Sequence, residues 1–468
     1  MIGSGPRSGQ AWNHGSPWLW LPVLCLLAFG CARLPDLNYL KVPLNEPLAP
    51  RMVNGNGVLS EKASSSLLPH QPGHARLDAK ASAALEEAAT GRPLIAGNKV
   101  TLLFDGPSTI AAMTAAASAA RDTINLETYI FDQDALGLAF ADMLISKQRE
   151  GVQVNIIYDC VGTLGTPQAF FDRMQQAGVR LLPFQPVSPM HRLGRWRINN
   201  RDHRKILVVD GEVGFVGGVN IASAYSRSSL FRSHAKPASG VGWRDTHLQI
   251  EGPAVAALQW MFLDNWASQK EESPPERDYF PRLTDQGDKV VRVLRSQPGS
   301  NREIFKAYYL AIQGATKSVH ITAAYFVPDV QIMKALVEAA RRGVEVKVIL
   351  PSVSDSWLNS QAAHSYYLQM LEAGIQVFEL KTAVLHAKTA VIDGSWSTVG
   401  STNLDMRSFL HNKEVNVVVL GDAFGHDMET AFRDDLKDST EIHLESWKRR
   451  PKLQKFKEWL ARLLAYWL

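Results

Sequence analysis

Two short strings, one in each half of the chain, constrain everything else about it. His203-Arg-Lys205-Ile-Leu-Val-Val-Asp210 is followed by Gly217-Gly218-Val-Asn220, and His386-Ala-Lys388-Thr-Ala-Val-Ile-Asp393 is followed by Gly400-Ser401-Thr-Asn403. The interval from His to Asn is 17 residues in both copies (203 to 220, 386 to 403), and the copies stand 183 residues apart (203 to 386). A single His-x-Lys-x4-Asp string is a weak signal in a chain of this size. Two in register, inside a repeated strand–helix frame, mark an internal duplication, and such a chain folds as two similar lobes.

Hydrophobic periodicity shows that frame directly. In the first half, strands over 124–131, 152–158 and 179–184 alternate with helices over 136–150 and 170–177. In the second, strands over 319–326, 344–350 and 375–380 alternate with helices over 330–342 and 361–373. Gly151-Val-Gln-Val and Gly343-Val-Glu-Val sit at corresponding points. Strand–helix alternation predicts an α/β fold. With 468 residues, 46% of them apolar and 21% charged, the chain can bury large cores and is not disordered. A stretch over 271–290, rich in Pro and charge, reads as a linker. The expected organisation is therefore a first lobe over 93–270, the linker, and a second lobe over 291–446.

The spacing also has chemical content. In an extended segment, side chains at i and i+2 share a face, so His203 projects with Lys205 and His386 with Lys388. The apolar run after each Lys anchors the strand in the core. The small pairs Gly217-Gly218 and Gly400-Ser401 would let the backbone pass close to a ligand, and Asn220 and Asn403 would return as amide donors. If the halves pack together, the site gathers two imidazoles, two ammonium groups and two amides. That is a cradle for a phosphodiester, with a nucleophile opposite a proton donor. Each imidazole needs a carboxylate on its other nitrogen to fix its tautomer. Candidates begin the next strand of each half: Asp245 in Trp-Arg-Asp-Thr-His and Glu414 in Asn-Lys-Glu-Val-Asn. Asp210 and Asp393 are expected to be orienting and structural, because the neighbouring lysines oppose a cation there. Three cysteines, Cys25, Cys31 and Cys160, are too few for a disulfide framework or a Cys-based zinc cluster, and no His-x3-His helix pair occurs, since the spacing His70 to His74 encloses Pro72 and Gly73. No metal is expected.

These residues resemble the phospholipase D superfamily and, within it, bacterial cardiolipin synthases. Beyond the paired motifs, Tyr325-Phe-Val-Pro-Asp329, Ala339-Ala-Arg-Arg-Gly-Val-Glu-Val, Val399-Gly-Ser-Thr-Asn-Leu-Asp-Met-Arg-Ser408, Ile250-Glu-Gly-Pro-Ala-Val255 and the Trp447-Lys-Arg-Arg-Pro451 tail carry the likeness, which covers about residues 95 to 460. The resemblance implies two α/β/α sandwich lobes, each a mixed sheet flanked by helices, packed as a pseudo-dimer. It implies the catalytic set His203, Lys205, Asp210, His386, Lys388 and Asp393, with Asn220 and Asn403 binding phosphate. By family analogy His203 is the nucleophile, forming a phosphohistidine, and His386 is the acid and base. The implied reaction moves a phosphatidyl group from phosphatidylglycerol to a second phospholipid hydroxyl and releases glycerol, without cofactor, metal or nucleotide. A rival is hydrolysis, in a phospholipase D or phosphodiesterase. A nuclease is disfavoured by the tether and tail described next, and a non-catalytic lipid-binding scaffold by the intact His, Lys and Asn pairs. The commonest cardiolipin synthases begin with two spanning helices; this chain has one short apolar segment.

That segment, with its heart at residues 18–32, is shorter than the roughly 20 residues needed to span a bilayer and matches a secretion-signal core. Leu27-Ala-Phe-Gly-Cys31 invites lipidation of Cys31; the alternative is a short uncleaved anchor. Either reading of residues 1–34 tethers the chain to a bacterial cell membrane, with the body on the periplasmic or outer face. Residues 35–92 read as a mostly irregular spacer with one helix near 78–90. The 447–468 tail holds seven Lys or Arg, one acid (Glu458), and apolar residues at helical spacing. It suits an anionic lipid surface, or packs on its own domain. The net charge of +4 leaves room only for local basic surfaces such as this. A second basic run, 191–201, could hold lipid phosphates or be a solvated loop, and 225–242 reads as a flap over the site.

Overall fold

The computed structural model describes residues 33–37, 49–68, 79–186, 199–225, 242–269, 274, 276–354 and 356–466. The N-terminal segment with Cys31, most of the 191–201 run and most of the expected flap lie outside the described residues. Met1–Pro35 forms one unit and Asp36–Leu468 a second; the account below concerns the second.

Eleven elements in the first half recur in the same order in the second. The first series is β1 (Leu94–Leu103), α1 (Gly106–Ala119), β2 (Thr123–Thr128), α2 (Ala135–Arg149), β3 (Gln153–Asp159), α3 (Gln168–Gln176), β4 (Arg180–Phe184), β5 (Ile206–Val209), β6 (Val213–Gly217), β7 (His247–Glu251) and α4 (Val255–Ser268). The second is β8 (Lys289–Ser296), α5 (Glu303–Gly314), β9 (Ser318–Ala323), α6 (Val330–Arg341), β10 (Glu345–Pro351), α7 (Trp357–Glu372), β11 (Gln376–Leu380), β12 (Lys388–Ile392), β13 (Trp396–Gly400), β14 (Glu414–Leu420) and α8 (Asp422–Lys437). Each half builds a mixed sheet. β2, β3 and β4 pair in parallel, and β2 then meets β5, β6, β7 and β1 through antiparallel ladders. β9, β10 and β11 repeat the parallel set, followed by β12, β13, β14 and β8. The strands β2 and β3 are buried on both faces, yet each alternates apolar residues with buried polar ones such as Asn125, Glu127 and Asn155.

The two sheets join. β1 pairs with β7 over residues 99–103, and its first half pairs with β8, Asn98 opposite Lys289 and Ile95 opposite Val291. Val208, Val216, Leu248 and Ile250 from one sheet share a core with Val293, Val399, Val415 and Val417 from the other. Fully burying a side chain of this size stabilises by about 1.5–3 kcal/mol, so the halves are held by a common interior rather than by surface contacts.

Residues 35–92 differ from expectation. Besides the helix Ala79–Thr90, the described part holds the strands Met52–Asn54 and Gly57–Val58 and the helix Glu61–Leu67. Met52–Asn54 adds in parallel to β1, and Met52, Leu68 and Ala83 pack with Leu94, Ala96 and Val290. Arg292, buried in β8, pairs with Glu86 at 2.8 Å and donates to the Ala83 carbonyl. The small Ala-rich face of the helix permits this close docking, so the described part is mostly regular structure attached to β1 of the first half and to β8 of the second.

At the end of the chain, β15 (Ser439–Ile442) pairs with β11. The helices α9 (Leu444–Lys448) and α10 (Lys452–Leu463) follow it.

Candidate active site

The two motif histidines stand just ahead of β5 and β12, beside the carboxyl ends of β2 and β9. In open α/β sheets this is the end where ligands bind. What brings the halves into one site is a pair of short crossed ladders. Asp202 bridges in parallel to Lys413, with the His203 amide donating to the Lys413 carbonyl at 2.9 Å and the Lys413 amide to the Arg201 carbonyl at 2.8 Å. In the other direction, Val384 and Leu385 pair in parallel with Trp243 and Arg244, and the His386 amide donates to the Arg244 carbonyl at 2.8 Å. Each ladder ends by placing a carboxylate from one half on the imidazole of the other. His203 Nδ1 lies 3.1 Å from both Glu414 oxygens, and His386 Nδ1 lies 2.6 Å from Asp245 Oδ2. The carboxylates are those expected, but they act across the halves instead of within each one. With Nδ1–H donating to the carboxylate, Nε2 is the nitrogen left to meet a ligand.

Close packing explains the small residues of the motif tails. A Cβ on Gly218 would lie 2.0 Å from Asp245 Oδ1, so only glycine fits where that carboxylate swings in. In the second half the equivalent position is Ser401, whose hydroxyl donates to Glu414 Oε2, while Asn412 Nδ2 donates to Oε1 at 3.1 Å. The tails therefore make room for the orienting carboxylates, a different service from the ligand clearance expected of them. Arg244, buried beneath Asp245, stacks on Phe104 and pairs with Asp435 of the other half at 2.8 Å. That pairing fixes the strand that delivers Asp245.

Electrostatics separates the two dyads. Burial pushes the His203 imidazole well below its ordinary range, and the charges of Lys205, Lys388 and His386 add to this. Burial and Lys388 lower His386 as well, but the Asp245 carboxylate and its hydrogen bond oppose them. Burial raises Glu414 to about 7 against the pull of Lys205, Ser401 and Asn412. Burial also acts to raise Asp245, yet the charge and hydrogen bond of His386, with Lys388, outweigh it and leave Asp245 below its ordinary range. Near neutrality, then, His386 faces a fully ionised carboxylate, and His203 faces one that is titrating. Lys205 is brought down to about 7 by burial and by Lys388, with Glu414 opposing.

The lysines fold back beside their histidines: Lys205 Nζ donates to the His203 carbonyl at 2.5 Å, and Lys388 Nζ to the His386 carbonyl. Three aromatic residues missed in the sequence complete the walls. Tyr129 meets His203 edge-on at 5.0 Å and lies under Lys205 Nζ, while Trp243 and Tyr225 pack on His386. In the register of the repeat Tyr129 corresponds to Ala324, so the duplication carried no signal for it.

Three expected site residues are placed differently. Asn220 Oδ1 accepts from the Ile130 amide at 3.1 Å and its Nδ2 donates to the Tyr225 hydroxyl at 2.8 Å, so both ends of its amide are committed to the scaffold. Asn403 differs: its buried Oδ1 has no hydrogen-bond partner. Asp210 and Asp393 leave the catalytic set. They occupy the tight turns between β5 and β6 and between β12 and β13, with φ of 53° and 52°, where a short polar side chain tolerates the left-handed region. Asp210 accepts from the amides of Arg121, Asp122 and Thr123, and Asp393 from those of Thr316, Lys317 and Ser318. Each pins the start of a parallel strand, at the opposite end of the sheet from the histidines. Among the described residues, no group of three or more His, Cys, Asp or Glu could hold a metal ion.

Comparison with known proteins agrees with this arrangement. The family described as "Cardiolipin synthase, PLD-like domain" matches residues 113–229 and 308–436, one segment in each half. The chain is 33% identical over 459 residues to a cardiolipin synthase of Halalkalibacterium halodurans, covering 95% of this chain and 88% of the relative. It is 36% identical over 377 residues to cardiolipin synthase A of Pseudomonas aeruginosa strain LESB58, covering 80% of this chain and 74% of that one. Among solved structures, phosphatidylserine synthase of Haemophilus influenzae Rd KW20 superposes with a TM-score of 0.60 at 13% identity, over 79% of this chain and 95% of the other; this likeness shows the fold.

Proposed function

This chain belongs to the phospholipase D-like cardiolipin synthase family. It is a phosphatidyltransferase that acts on phospholipids in association with a membrane, and we propose that it makes cardiolipin by transferring a phosphatidyl group from phosphatidylglycerol to the hydroxyl of a second phospholipid. The observation that carries the mechanism is the crossed pair of dyads, His203 with Glu414 and His386 with Asp245. His203, held neutral by burial, attacks phosphorus through Nε2; the bond to the headgroup glycerol breaks, and the His386 imidazolium gives its proton to the departing oxygen. The acceptor hydroxyl then loses its proton to His386 and displaces His203 from phosphorus, closing the cycle with atoms and charge balanced. Lys205, Lys388 and the Asn403 amide stabilise the charge on the non-bridging oxygens. The stronger depression of His203 and the ionised partner of His386 favour this assignment of nucleophile and acid.

Purified protein in phosphatidylglycerol vesicles is expected to yield cardiolipin and free glycerol in equal amounts. Phosphatidic acid without cardiolipin would make the protein a hydrolase and overturn the transferase reading.

We further propose that residues 1–34 tether the catalytic body to the outer face of the cell membrane through a lipidated Cys31. Labelled palmitate is expected to enter the wild-type chain and not Cys31→Ala. Uptake by both would place the acyl chain elsewhere and overturn the Cys31 assignment; uptake by neither would leave an uncleaved anchor as the tether.

A further inference from the structure

The helix α10 is built the reverse way from one on a soluble surface. Gln454, Glu458 and Ala461 recur at spacings of four and three and so share one stripe. That stripe faces the protein: Glu458 and Ala461 are 1% and 2% exposed, and Gln454 Nε2 donates to Gln361 on α7 at 2.7 Å. The orientation is locked. Arg450 clasps the Glu458 carboxylate through Nε and Nη2 at 2.7–3.1 Å, and its guanidinium lies over Trp447, whose ring packs on Tyr367 and His364. Turning the helix over would carry Glu458 into water and leave the largely buried Arg450 guanidinium without its carboxylate.

The outward face is therefore apolar by necessity. Leu453, Phe456, Trp459, Leu460, Leu463 and Leu464 are all exposed, Leu453 by 65% and Leu463 by 60%. A helix on a water-facing surface turns such a stripe inward. On the helical wheel Lys455 and Arg462, the latter lying over the Tyr366 ring, border the stripe on one edge and Lys457 on the other; Lys452 enters the stripe at the first turn, and the single acid points inward. An apolar face with cations along its margins, and no exposed anion, is complementary to an anionic lipid surface. The surface continues toward the site. Because Gln454 touches Gln361, the first turn of α10 lies about one turn from Trp357, which is 62% exposed at the start of α7. Trp357 and the exposed Val353 follow the carboxyl end of β10, the same end of the sheet at which the histidines stand.

We propose that the outward face of α10, together with Trp357 and Val353, docks in the plane of an anionic phospholipid bilayer and presents the rim of the site to the headgroups. The choice of occupant rests on the phospholipid-transfer reading above. The experiment uses the full chain, so that any N-terminal tether is present throughout. A photoreactive benzoylphenylalanine is placed at position 460 or, as control, at exposed position 212 on the β5–β6 turn, and irradiated in vesicles of phosphatidylglycerol or of phosphatidylcholine. Lipid adducts are expected at 460 and not at 212, with phosphatidylglycerol giving at least threefold more. In parallel, the variant Phe456→Ser/Leu460→Ser/Leu463→Ser is expected to lose at least tenfold in turnover of vesicular phosphatidylglycerol and to stay within twofold on a short-chain monomeric form. Chain-to-chain adducts in place of lipid adducts would make a second copy the occupant and overturn the proposal. So would a failure to label lipid in a preparation that turns over vesicular substrate. Equal labelling in both vesicle types would overturn its anionic element. Lipid labelling without any phosphatidyl transfer would instead sink the functional reading and leave the docking surface standing.

Discussion

Replacing His203 by alanine is expected to lower kcat by about 10⁵–10⁶, the scale seen when the nucleophile of a covalent mechanism is removed. His386→Ala is expected to cost roughly 10²–10⁴, the scale of lost general acid–base catalysis. The two can be told apart by leaving group. A phosphodiester with a nitrophenol leaving group departs without a proton, so His386→Ala should still form the phosphohistidine, release a stoichiometric burst of nitrophenol and then stall. His203→Ala should show no burst. Reversal of the two results would exchange the roles of the histidines; unchanged turnover in both variants would end the shared-site mechanism. Both side chains are nearly buried, so thermal midpoints are compared alongside, with His→Gln as a second substitution that keeps volume and hydrogen bonding.

Much of this site could be read before any coordinates, because a duplication writes the same requirement twice. The His–Lys pairs were legible from strand periodicity: positions i and i+2 ahead of a mostly apolar run share a face, and in both halves the Lys ammonium folds back to its own His carbonyl. The carboxylates were legible as residues but not as partners. Asp245 and Glu414 stand at matched positions, and nothing in a linear pattern says which imidazole each will meet; that is decided by the ladders of Asp202 with Lys413 and Leu385 with Arg244, between segments about 140–210 residues apart. Asn220 misled for a related reason. Its amide suits a phosphate equally well, but Tyr225 and the Ile130 amide reach it first. The strand Met52–Asn54 is too short for periodicity to register, and its stability comes from β1 beside it. The amphipathic pattern of α10 was plain, whereas its orientation depended on Arg450 finding Glu458.

Removing the carboxylates one at a time should expose the difference between the dyads. Asp245→Asn is expected to lower kcat/KM by roughly 10²–10⁴ at every pH, because an amide can present its N–H to Nδ1 and force the wrong tautomer on His386. Glu414→Gln should behave otherwise. In the wild type, Glu414 ionises near 7 and Lys205 loses its proton near 7, each held there by the other as well as by burial. Activity needs the Glu414 carboxylate, to accept from His203 Nδ1–H, and the Lys205 ammonium, to face the phosphate. The profile of kcat/KM against pH is therefore expected to be a narrow bell: rising as Glu414 loses its proton, falling as the His386 imidazolium, lowered by burial and Lys388, and then the Lys205 ammonium lose theirs. In Glu414→Gln the acid limb disappears, since nothing is left to ionise there. The Lys205 part of the alkaline limb moves to lower pH, because the negative charge that raised Lys205 is gone while burial and Lys388 still depress it. The His386 part of that limb stays, because Glu414 does not act on it; a limb that also fails to steepen toward lower pH, or moves upward, would mean that Lys205 and Glu414 do not share a field. The same profile run on Asp245→Asn should keep the acid limb of Glu414, since Asp245 lies below its ordinary range and is ionised across the whole window, while its alkaline limb also moves down because Asp245 raises both His386 and Lys205.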